Sequence, residues 1–67
     1  MPAHVYKSIE VTGSSTVDIS DAIRTAVDKA SETIRNVEWF EVVSTRGYVA
    51  DDTLYFQVTV KLGFRLE

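Results

Sequence analysis

The sequence predicts an α+β domain: a β-α-β-β chain whose three-stranded antiparallel sheet, in the order 1-3-2, packs on one amphipathic helix. Two patterns carry that reading. Leu54, Phe56, Val58, Val60, Leu62, Phe64 and Leu66 hold every even position of a long run, with Tyr55, Gln57, Thr59, Lys61, Gly63 and Arg65 between them. A period of two belongs to a strand with two unlike faces. Upstream, Ile19, Ala22, Ile23, Ala26, Val27, Ala30, Ile34 and Val37 recur in steps of three and four, the stripe of a helix with one apolar side. A chain of 67 residues has room for one such domain, residues 1–67.

The first strand is expected over His4–Thr12. Val5, Ile9 and Val11 share a phase that Lys7 interrupts, and Tyr6, Ser8 and Glu10 fill the other. Gly13-Ser14-Ser15 is expected to break it. Ser15 and Asp18 have capping-box spacing, with Ser20 as a rival N-cap. The three alanines of the helix stripe allow close approach to a sheet. Its other face carries Asp21, Arg24, Asp28, Lys29, Glu32 and Arg35, a solvated face with Asp21–Arg24 as a helpful pair and Asp28–Glu32 as an unfavourable one. Asn36 suits the helix C-terminus.

The second strand is expected over about Trp39–Val49. Phe40, Val42, Ser44, Arg46 and Tyr48 fall in one phase, and Trp39, Glu41, Val43 and Thr45 in the other. Gly47 is the candidate for a bulge or bend. Ala50-Asp51-Asp52-Thr53 reads as the hairpin turn. The third strand, long and strictly alternating, belongs in the centre, with the first strand returning to its free side after the helix.

Composition narrows the function. The chain has no cysteine and a formal net charge of −3. Disulfides are therefore ruled out. A metal site is disfavoured, since His4 and Met1 are the only soft ligands. The acidic balance and the scattered basic residues argue against a nucleic-acid binder. No apolar run reaches the roughly 20 residues of a membrane span, and the first residues do not read as a signal peptide, so a cytoplasmic protein is expected. So small a domain buries little surface, and self-association is the remaining way to stabilise it.

Trp39 and Gln57, the only tryptophan and the only glutamine, lie opposite to the main apolar phases of their strands. They are expected to share the sheet face that the helix leaves bare, with Val43, Tyr55 and Thr59. Trp39 could simply be a core or interface residue, and Gln57 could equally be a solvent-facing strand residue. Arg46 and Arg65 are surface arginines able to hold a phosphate or carboxylate. No nucleophile, glycine-rich phosphate loop or paired carboxylate is evident. No enzymatic role is expected, and only Glu41, Tyr55 and Arg46 could move a proton near such a ligand.

Three segments resemble the dodecins over essentially the whole chain: Val-Thr-Gly-Ser-Ser at 11–15, Val-Glu-Trp-Phe-Glu-Val at 37–42, and Phe-Gln-Val-Thr-Val-Lys-Leu-Gly-Phe-Arg-Leu-Glu at 56–67. Arg46-Gly47 resembles the bacterial branch. The resemblance implies a hollow homododecamer that binds FMN or riboflavin in pairs on two-fold axes. It implies that Trp39 stacks on the isoalloxazine, that Gln57 hydrogen-bonds its polar edge, and that Arg46 lies near the flavin. The implied role is flavin storage, buffering and photoprotection. The alternative is an interaction module with Trp39 in a subunit interface and no flavin role.

Overall fold

A computed structural model describes residues 3–66; Met1, Pro2 and Glu67, which the expected domain and the last matching segment include, lie outside the described residues. The order is β1 (Tyr6–Ser15), α1 (Ile19–Ser31), β2 (Val37–Ala50) and β3 (Thr53–Arg65). The sheet runs β1-β3-β2 with both pairings antiparallel, as expected.

The core is the even face of β3 against the alanines of α1. Val58, Val60 and Leu62 are fully buried, and Ala22, Ala26 and Ala30 close over them. Ile9, Val11, Ile23, Val27, Ile34 and Val37 pack around this centre. Alanine at every fourth position keeps the helix low on the sheet. Gly13 takes the approach further. It does not break β1, as its residue type suggested, but pairs with Val58 in regular register. A Cβ there would overlap the Ala22 carbonyl oxygen and lie 2.9 Å from the Ala26 Cβ. The glycine is a point of close backbone approach, not a stop.

The helix begins at Asp18, whose Oδ1 accepts from the Asp21 amide at 2.7 Å. Ser15 supports this cap from outside: its Oγ accepts from the Val17 amide at 2.9 Å and donates to Asp21 Oδ2 at 2.7 Å. Asp21 is thereby turned towards Ser15, and the exposed ion pair of the helix is Lys29–Glu32 at 3.6 Å. The helix ends sooner than its stripe implied. Ile34 packs on the core from beyond the last turn, Asn36 takes φ 64° in the link, and Val37 already belongs to β2. Apolar spacing continues across this boundary because both elements bury their side chains in one core.

The hairpin turn is Asp51-Asp52, with φ of 52° and 60° and Ala50 opposite Thr53. Two positive φ values identify the type I′ geometry that matches strand twist.

The helix lies over β1 and β3 and leaves β2 largely bare. Phe40 (51% exposed), Val42 and Val49 therefore present apolar surface on the helix side of the sheet. A groove of about 310 Å³ separates Phe40 from Ile23 and Val27 of α1. Principal extents of 55 × 20 × 14 Å describe a long thin layer.

Candidate functional site

The open face of the sheet is built by the odd residues of β3 and their partners on either side. Trp39 stands opposite Gly63, and Glu41 opposite Lys61. On the other side, Thr12 stands opposite Thr59 and Ser14 opposite Gln57. The two threonine hydroxyls lie 2.8 Å apart in a hydrogen bond.

β2 does not keep a single phase along its length. Its register with β3 shifts between Val37 and Trp39 and again between Val42 and Ser44, leaving Glu38 and Val43 as bulged residues. The expected bulge at Gly47 is absent; Gly47 pairs normally with Phe56. The displacement matters, because each bulge exchanges the two faces of the strand beyond it. Strict alternation put Arg46 and Tyr48 with Phe40 and Val42, on the helix side. The Val43 bulge turns them over. Ser44 stands opposite Thr59, Arg46 opposite Gln57 and Tyr48 opposite Tyr55, all on the open face. Thr45, expected beside Trp39, faces the helix side opposite Val58. Val43 has no partner on β3, so it is not a regular member of the open face either.

Trp39 is seated by a glycine. A Cβ on Gly63 would overlap Cε2, Cζ2 and Nε1 of the indole. The ring lies across the backbone of the central strand, and 40% of the residue remains exposed. Its neighbourhood is tied down by the other bulge: Glu38 accepts from the Tyr6 hydroxyl at 3.3 Å and lies 3.6 Å from Arg65 Nη1. That pair joins all three strands at this end of the face. It also engages Arg65, one of the two arginines read as phosphate ligands.

Arg46 and Gln57 present the opposite situation. Among the described residues neither takes part in an ion pair or a side-chain hydrogen bond. A guanidinium with five donors and an amide with donors and an acceptor thus stand side by side with their hydrogen-bonding capacity unspent. Next along the face, Tyr48 and Tyr55 stack with centroids 4.7 Å apart and planes 3° from parallel.

The three expected site residues share one face, but only two of them meet. Gln57 lies six residues along β3 from Gly63, the seat of Trp39, a separation of about 20 Å at strand rise. One chain therefore carries an indole platform at one end and a polar pair at the other. None of the three residues lines the groove beside Phe40 or the one between β1 and α1. The face is open, and the two stations stand apart on it. The role of Gly63 was readable in principle, from a glycine in the outward phase of a strand otherwise free of small residues. No group of His, Asp and Glu among the described residues could hold a metal ion, and no described helix is long and apolar enough to cross a membrane.

Comparison with known proteins matches this architecture. A Dodecin family model matches residues 5–67. The chain is 39% identical over 64 residues to a dodecin of Thermus thermophilus, covering 94% of this chain and 93% of that one. It superposes on the structure of dodecin from Streptomyces coelicolor with a TM-score of 0.91 and 46% identity, covering 100% of this chain and 97% of that one. For dodecin from Streptomyces davaonensis the values are 0.92 and 40%, covering 98% of each chain. With the strand order, the single helix and the length in agreement from end to end, the chain belongs to the dodecin family.

Proposed function

We propose that the protein binds FMN or riboflavin, storing, buffering and photoprotecting it in a hollow homododecamer, and that it is a cytoplasmic binding protein and not an enzyme. The observation that carries the reading is the indole of Trp39 laid over Gly63 with much of its surface free. A rigid, half-exposed aromatic plane suits a flat heteroaromatic ring. The unspent donors and acceptor of Arg46 and Gln57 suit a ring edge rich in carbonyl and imide groups, or a phosphate. The distance between the two stations supports a site divided between subunits. The bare apolar groups of β2 support the assembly that would complete it.

A bound flavin would supply an electron-poor, light-absorbing ring. Trp39 would stack on that ring and could give it an electron after excitation, quenching its emission. Gln57 would orient the polar edge, and Arg46 would meet negative charge. A two-fold axis would turn one tryptophan per chain into two facing walls. None of these roles calls for a general base.

Titrating FMN with purified protein should strongly quench flavin fluorescence. Trp39→Ala should weaken binding about five- to 150-fold, the range expected from stacking worth about 1–3 kcal/mol, while leaving the oligomer intact on size-exclusion chromatography. Unchanged flavin emission at saturating wild-type protein would overturn the proposal. Dissociation of the Trp39→Ala oligomer would favour the interface reading instead.

A further inference from the structure

We propose that Tyr48 and Tyr55 form a prearranged oxidative cross-linking site, which a one-electron oxidant converts into an intrachain dityrosine. The two residues are direct partners across β2 and β3, a short distance from the two-residue turn. Their rings already lie face to face at 4.7 Å and nearly parallel. In the single chain Tyr48 is 47% exposed on the open face of the sheet. Among the described residues neither phenol is engaged in a side-chain hydrogen bond, so each hydroxyl is free to release its proton on oxidation. Tyr6, the remaining tyrosine, stands at the far end of the face with its hydroxyl donated to Glu38.

The chemistry balances with the oxidant as the sole co-reactant. Each phenol loses one electron to the oxidant and its hydroxyl proton to water. The two phenoxyl radicals join through a new carbon–carbon bond between ring positions ortho to oxygen. The two ortho hydrogens then move to the phenolic oxygens, restoring both aromatic rings. In total two electrons and two protons leave, and the chain becomes lighter by two hydrogens. The pair owes its advantage to proximity: two rings held in contact by one hairpin couple faster than rings that must meet by diffusion. The Val43 bulge is part of the device, since it brings Tyr48 to the face of Tyr55.

The inference stands independently of flavin binding and is tested without flavin. The purified full chain is treated with a peroxidase and hydrogen peroxide. The expected product shows dityrosine fluorescence, an intact mass lower by two hydrogens, and one cross-linked peptide joining Tyr48 to Tyr55. It runs as a single chain on a denaturing gel. Tyr48→Phe and Tyr55→Phe, which keep the ring but remove the phenol, should each lower the dityrosine yield by about tenfold or more, whereas Tyr6→Phe should leave it unchanged. Dityrosine that persists in Tyr48→Phe, or that appears only as links between chains, would overturn the proposal.

Discussion

Gly13 and Gly63 lie on the same sheet, on opposite faces, and each is a place where a Cβ would collide. At Gly13 the collision is with the carbonyl oxygen of Ala22, in the middle of a helix. At Gly63 it is with the indole of Trp39, a side chain only partly enclosed. Neither glycine has positive φ, so both are needed for space and not for backbone freedom. The difference teaches how to separate a residue that holds the fold from one that holds a site. Space at Gly13 is set by the helix backbone and the Ala26 methyl and lets α1 reach the sheet. Space at Gly63 is claimed by one aromatic ring on a face the chain itself leaves open.

The contrast predicts a graded set of effects. Gly13→Ala should be the most damaging, destabilising the chain by about 2–3 kcal/mol as helix and strand are pushed apart, measured by denaturant unfolding. A loss no larger than that of an exposed substitution would remove the structural half of the comparison. Gly63→Ala should leave secondary structure and assembly intact yet weaken FMN binding about tenfold, because the indole must leave its seat. Unaltered FMN affinity would show that the seat is not needed. Asp18→Ala removes the helix cap on the covered side. It should cost about 1 kcal/mol and leave FMN affinity unchanged, separating stability from binding. The smallest effect is expected at the turn. Asp52→Gly relieves a non-glycine residue at φ 60° and should stabilise the chain by about 0.5 kcal/mol, visible as a slightly raised midpoint in the same unfolding experiment.

Much of this architecture could be read from the residues. The apolar residues at every even position from Leu54 to Phe64 pointed to a central strand and to the face that meets the helix. The alanines pointed to close packing. The shared face of Trp39 and Gln57 was also legible. What could not be read has a common cause. A bulge is a local two-against-one pairing with no residue type of its own, so the sequence around Val43 carries no mark of it. Ser44, Thr45, Arg46 and Tyr48, which follow it on β2, were therefore placed on the wrong face. Gly13 was misread for a related reason, because a glycine that admits a helix and a glycine that stops a strand look alike until the helix is in place. The distance between Trp39 and Gln57 follows from pairing register, which alternation alone leaves open.

The turn at Asp51-Asp52 also bears on how the chain reaches this state. Pairing β2 with β3 closes a loop of two residues, whereas pairing Tyr6 with Arg65 brings together residues separated by nearly the whole chain. Loop-closure entropy makes the first pairing early and the second late. The hairpin thus supplies a template whose central strand awaits β1, and until β1 and the helix arrive, Val58, Val60 and Leu62 have no cover from their own chain. The interval in which the core is naked is set by the long-range pairing of β1 with β3.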